Sequence, residues 1–193
     1  MTRMRTIGLL IVCAHFFIFL GCEKPPTDVI IRAERMIEAA QNVQADAYAP
    51  ETFLSAEKAI KKARDHVASK EYGRAKESAM EAAQFAQEAI VLARAEKTRL
   101  REEADKMAQQ IDEMLKELRA YAGKSDRRRS RSKTEEIQAV IAQYETDLAA
   151  GREKLQENEI LQAHSDLTIL RDRVSDAGKK LLNRKDREGG LWK

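Results

Sequence analysis

The chain has 193 residues, of which 35% are charged and only 5% aromatic, and it carries a formal net charge of +3. That composition describes a well-solvated surface with few large side chains, which argues against a broad globular core. Helices packed through small side chains fit it better than one thick domain.

The first 22 residues have a layout of their own. Arg3 and Arg5 make the start basic, residues 7–20 are almost wholly apolar, and the run stops at Leu20, Gly21 and Cys22. A basic start, a short apolar segment and a small residue at the cut site mark a secretory signal, and the run falls short of the ~20 apolar residues that a membrane-spanning helix needs. Leu20-Gly21-Cys22 resembles the lipobox of bacterial lipoproteins, with Phe19 standing where that motif usually has Leu. The resemblance implies cleavage between Gly21 and Cys22, with lipid on the Cys22 thiol and on the new amino terminus.

Cleavage there removes Arg3, Arg5 and Cys13, leaving a nearly neutral chain whose one remaining cysteine is the lipid anchor. Disulfide stapling and thiol catalysis are then excluded. By analogy with lipoprotein sorting, Glu23 in place of the Asp that signals inner-membrane retention points to the outer membrane, facing the periplasm. Residues 22–27, with Pro25 and Pro26, read as a short tether.

Past the tether, apolar residues recur at steps of three and four, the spacing of one helix face. Ile30, Ala33, Ile37, Ala40, Val43 and Ala47 form a first seam. Ala49-Pro50 breaks it, because the residue before proline avoids helical angles and proline suits the first position of a new helix. Phe53, Ala56, Ile60, Ala63 and Val67 form a second seam, and a turn follows at residues 69–73.

Tyr72, Ala75, Ala79, Ala82, Ala86, Ala89 and Ala93 then make an alanine stripe that lets helices approach closely, with Ala79, Ala82, Ala86 and Ala89 as its packing seam. Leu100, Ala104, Met107, Ile111, Met114, Leu118 and Tyr121 continue the pattern without a breaker. One helix over residues 73–122 is therefore predicted, about 75 Å long at 1.5 Å per residue. Gly123 ends it, since glycine readily takes the left-handed angles of a helix end.

The loop over residues 123–133 is strongly basic, and Ser132 with Glu135 reads as a capping box opening the next helix. That helix presents Ile137, Ile141, Tyr144, Leu148 and Leu155. A turn near residues 157–159 leads to the last seam, Ile160, Ala163, Leu167, Leu170, Val174, Ala177 and Leu181. Residues 184–193 read as a disordered tail.

Shifting the chain on itself by 88 residues aligns Ala56 with Tyr144, Ile60 with Leu148, Val67 with Leu155, Tyr72 with Ile160 and Ala75 with Ala163. The echo suggests two helical hairpins built alike, although shared heptads account for part of it. The stretch from Lys70 to Ala75 also resembles the turn of tetratricopeptide repeats, without the rest of that signature. A closer resemblance covers residues 33–96, through Ala47, Tyr48, Ala49, Pro50 and Glu51, then Ala56, Ala59 and Ala63. It continues through Glu71, Tyr72, Gly73, Arg74 and Ala75 and the alanines at 79, 82, 83, 86, 89 and 93. These positions resemble domain-of-unknown-function family 4398, an alanine-rich helical module of bacterial envelope lipoproteins. The resemblance implies an all-helical periplasmic module over residues 28–96 and no assigned chemistry. Residues 97–193 do not resemble the peptidoglycan-binding domain that follows it in some relatives.

No catalytic or metal site is expected. His66 and His164 have no second histidine or cysteine at ligand spacing, and acidic residues such as Glu102, Glu103, Glu135 and Glu136 sit beside Lys and Arg in the pattern of a solvated helix surface. Glycine-rich phosphate loops and a nucleophile elbow are absent from the sequence. Arg127, Arg128, Arg129 and Arg131 form the sharpest cluster after Cys22, readable as a solvated loop or as a contact for a polyanion. Export argues against nucleic acid. Met107 and Met114 are expected to fill the seam against the helix after the basic loop, and Tyr48 and Tyr72 to pack at hairpin ends.

The expected fold is all-α, with elongated antiparallel hairpins around one long central helix and residues 97–183 forming its continuation, the basic loop and a C-terminal hairpin. The expected function is a non-enzymatic scaffold of the cell envelope, anchored to a membrane through lipidated Cys22, with no other cofactor. Its expected partner is an envelope protein or a second copy of itself. The alternative is a module that binds lipopolysaccharide, anionic lipid or a cell-wall polymer through the basic loop.

Overall fold

The computed structural model describes residues 24–123 and 131–189, with side chains described over 24–123 and 134–181. Every regular element among the described residues is an α-helix: α1 (Thr27–Asn42), α2 (Ala45–Tyr48), α3 (Pro50–Ala68), α4 (Tyr72–Gly123), α5 (Arg131–Gln156) and α6 (Ile160–Gly189). The fold is all-α, as the periodicity predicts, with the 52-residue α4 as its long central helix. None of the described helices is long and apolar enough to cross a membrane. Contacts divide the chain at Ala93 into two compact units, and α4 contributes its first part to one and its second part to the other.

In the first unit, α1, α3 and the start of α4 meet through alanine. Ala33, Ala59, Ile60, Ala63, Ala79 and Ala82 form a buried cluster, against which Val29, Ile30, Ile37, Ala83 and Phe85 pack. Side chains this small let helix axes approach toward the short end of the usual 8–10 Å. Arg64 clips α3 to α1, donating to Glu34 Oε1 from Nη2 at 2.7 Å.

The first seam breaks earlier than Ala49-Pro50. Gln44 adopts left-handed angles (φ 62°), and Val43 and Gln44 donate to the Ala40 and Gln41 carbonyls. This resets the helical phase, so Ala47 is exposed while Ala45 and Tyr48 turn inward. Pro50 then occupies the first turn of α3, where its missing N–H costs nothing.

In the second unit, the latter part of α4 buries more than its predicted seam. Ala108, Leu115 and Ala122 are buried beside Leu100, Ala104, Met107, Ile111 and Leu118. The wider face has two neighbours to cover it. Arg119 pairs with Glu145 of α5, while Thr168 of α6 donates to the Met107 sulfur at 3.4 Å and Tyr121 OH donates to the Leu181 carbonyl at 3.3 Å. Met107 thus accepts a hydrogen bond from α6, and Met114 lines a groove together with residues of α6.

Two further boundaries move. Helix α5 already begins at Arg131, so Ser132 lies inside it and is not its cap. Helix α6 runs to Gly189, six residues into the expected tail. Residues 183–188 interleave bases with acids and contain good helix formers.

Candidate functional site

The residues proposed for function fall into three groups. Gly21, Cys22, Arg127, Arg128 and Arg129 lie outside the described residues, and Arg131 is the first residue of α5. Ala79, Ala82, Ala86 and Ala89 are fully buried. Their face is covered within the first unit, where Ala79 and Ala82 pack with α1 and α3. The alanine seam therefore builds the fold and is not a free docking face.

The antiparallel course of α5 and α6 gathers charge that chain order separates. Near their turn, Lys154 Nζ donates to Asp166 Oδ2 at 2.5 Å, and this carboxylate raises the lysine's pKa. Both helices run away from that turn for similar lengths, so the start of α5 at Arg131 and the last turns of α6 share one end of the hairpin. Lys179, Lys180, Arg184, Lys185 and Arg187 of α6 thus occupy backbone positions at the end where the basic loop enters α5. Sequence order hid this second cluster, although the lysine and arginine content after residue 178 was a readable signal.

The two histidines among the described residues, His66 and His164, each share a hydrogen bond with a carboxylate at a helix surface. His66 Nδ1 lies 2.7 Å from Glu71 Oε2, and this hydrogen bond, followed by the charge of Arg74, holds Glu71 below its ordinary pKa. His164 Nε2 lies 3.3 Å from Glu103 Oε2, linking α6 to α4. On α4, Arg99 bonds both Glu96 and Glu103 at 2.6 Å, which lowers the Glu96 pKa and raises that of the arginine. Among the described residues, no group of three or more His, Cys, Asp or Glu side chains is arranged to hold a metal.

A groove of about 210 Å³ lies between α4 and α6, lined mainly by Met114, Leu118, Tyr121, Val174, Gly178 and Leu181. It is smaller than the 300–1,000 Å³ usual for small-molecule sites. Glu117 and Lys179 at its edge carry opposite charges, so the described lining favours neither an anion nor a cation.

No protein-family model, curated protein or solved structure matches the chain.

Proposed function

We propose that the protein is a non-enzymatic lipoprotein of the bacterial cell envelope, tethered through Cys22 to the periplasmic face of the outer membrane and presenting its helices as a scaffold. The observation that carries this reading is the amino-terminal sequence, with two arginines, an apolar run over residues 7–20, and Leu20-Gly21-Cys22 closing it. Each buried methylene of an attached acyl chain contributes roughly 0.8 kcal/mol, and two or more chains make anchoring stable. Residues 33–96 add support through their resemblance to the envelope module of family 4398. The interior of the described residues contains no buried polar or charged side chain, which suits a packing role better than acid–base chemistry.

The test is intact-mass and fractionation analysis of the protein in its host. The reading expects a mature chain starting at a lipid-modified Cys22 in the outer membrane, and release of Cys22→Ala from that membrane. A chain that keeps residues 1–21, or a Cys22→Ala variant that stays in place, overturns it. Crosslinking in intact cells then identifies the protein held by the scaffold.

The second reading, binding of a polyanion, is favoured by the shared end of α5 and α6, where residues 179–187 add five bases and one acid to the bases of the loop. Each base near an anionic surface contributes about 1 kcal/mol. Replacing Arg127, Arg128, Arg129 and Arg131 with Gln should lower retention on anionic vesicles, and wild-type retention should fall as salt rises. Unchanged retention in either comparison rejects this reading.

A further inference from the structure

The groove between α4 and α6 lies where the first unit has a filled core. A shift of 88 residues sets Ala86 on Val174, Ala89 on Ala177, Ile90 on Gly178 and Ala93 on Leu181. Ala89, Ile90 and Ala93 are all buried, whereas Ala177, Gly178 and Leu181 are half-buried. Gly178 therefore has no side chain where its counterpart buries an isoleucine, and a methyl group built on it would stand in ordinary contact with Leu118 Cδ2, at 4.0 Å. The rest of the lining says what chemistry suits the space. Met114 and Tyr121 are half-buried in it, a thioether and a ring that both favour an aromatic neighbour. Glu117 and Lys179 stand exposed at its rim, one an acceptor for an N–H and the other a cation for a π face. An indole uses all of these at once, whereas an aliphatic chain uses neither charge and an ion uses one of them.

We infer that the groove is the seat of Trp192, from the chain's own segment after α6. Trp192 is the one tryptophan of the chain, and it and Leu191 are the only apolar side chains after Leu182. Helices α4 and α6 run in the same direction, since Met107 meets Thr168 and Tyr121 meets Leu181. Helix α4 stops at Gly123 while α6 continues to Gly189, so the chain leaves α6 beyond the Tyr121 end of the groove. Gly189 stands eight residues past Leu181, about 12 Å along the helix. Three extended residues return about 10 Å of that, and the side chain of Trp192 completes the distance. Gly189 and Gly190 carry no Cβ to oppose the reversal. A groove this small suits a tethered occupant better than a free ligand, because a short tether holds its end at an effective concentration on the order of mM.

The seat does not involve Cys22, so it stands or falls independently of the proposed anchoring. Tryptophan emission of the full chain in detergent reports on residue 192 alone. It should be blue-shifted and shielded from acrylamide. Gly178→Ile, which restores the side chain of the counterpart position, should displace the ring, with a red shift, a several-fold rise in quenching and unchanged helicity by circular dichroism. Gly178→Ala, whose methyl group has room, should give a smaller change in the same direction. An exposed indole in the unaltered chain or shielding indifferent to both variants overturns the inference. So does shielding lost on dilution, which would put the ring of a second copy in the groove.

Discussion

The hairpin of α3 with the start of α4 and the hairpin of α5 with α6 solve the same turn in the same way and fill their interiors differently. At the first turn Lys70 has φ 59°, Lys70 N–H donates to the Val67 carbonyl and Glu71 N–H to that of His66. Eighty-eight residues later Asn158 has φ 67°, Asn158 N–H donates to Leu155 and Glu159 N–H to Lys154. Both are Schellman endings, and both next helices open with an N–H donated back across the turn, Ala75 to Glu71 and Ala163 to Glu159, each at 2.9 Å. Shared heptads explain apolar positions in phase, but they do not explain a left-handed residue at the same place in both turns.

The interiors match in phase and differ in size. Buried Ala79, Ala82 and Ala86 of α4 correspond to Leu167, Leu170 and Val174 of α6. Opposite them, buried Ala63 of α3 corresponds to Gly151 of α5. A methyl group added to Gly151 would stand 2.7 Å from Leu167 Cδ2 and 3.0 Å from its Cγ. Small against small in one hairpin becomes large against absent in the other, so the pair is the unit of packing.

Breaking that pair should have the largest effect. Leu167 is fully buried, and Leu167→Ala should cost about 2–5 kcal/mol in chemical denaturation. The converse change in the first hairpin, Ala79→Leu, should cost about 1–3 kcal/mol by overfilling a site with no glycine opposite it.

Gly151→Ala sharpens the comparison further. Helix propensity favours alanine by about 1 kcal/mol, but the clash with an immobilised leucine should outweigh it and leave a net loss of about 1 kcal/mol. In a Leu167→Ala background the same change recreates the Ala63 and Ala79 arrangement, and its sign should reverse to stabilising. A double-mutant cycle giving additive effects would show that the two positions do not share one space.

The turns should differ modestly. A lysine held at left-handed angles costs roughly 1–2 kcal/mol, partly offset in Lys70→Gly by the freedom that glycine loses on folding. Lys70→Gly should therefore raise stability by about 0.5–1 kcal/mol, and Asn158→Gly by less, since asparagine tolerates these angles.

The smallest expected effect separates the turns by pH. Glu71 is depressed below its ordinary 4.5, so its contribution is present above that pH and lost as pH falls through the lower folded value. Lys154 is raised above its ordinary 10.5, so its contribution is present below that pH and lost as pH rises through the higher folded value. Melting curves of Glu71→Gln should converge on wild type in acid, and those of Lys154→Gln should converge in alkali.

Much of this was legible in the residues. The heptad seams of α3, α5 and α6 name mostly residues that are buried or half-buried, and α4 lies within one residue of its predicted bounds at each end. The turn residues were less so, because Gln44 and Lys70 carry no glycine or asparagine signal for left-handed angles, and neighbouring hydrogen bonds hold them there. Ala47 was misplaced for that reason. The second buried stripe of α4, with Ala108 and Leu115, was missed because periodicity marks one face and does not count the helices that cover it.

Composition and spacing by themselves determined that the chain is helical and where its long helix runs, and they show an amino terminus with a basic start and an apolar run that closes on Leu20, Gly21 and Cys22. These are local properties, written in propensity, period and motif. Tertiary structure alone decided that the alanine seam is spent inside the first unit, that Gly151 exists to seat Leu167, and that the last turns of α6 lie at the same end of the hairpin as the start of α5. Those outcomes depend on which faces meet across tens of residues, and a linear pattern of apolar positions does not specify its own partner.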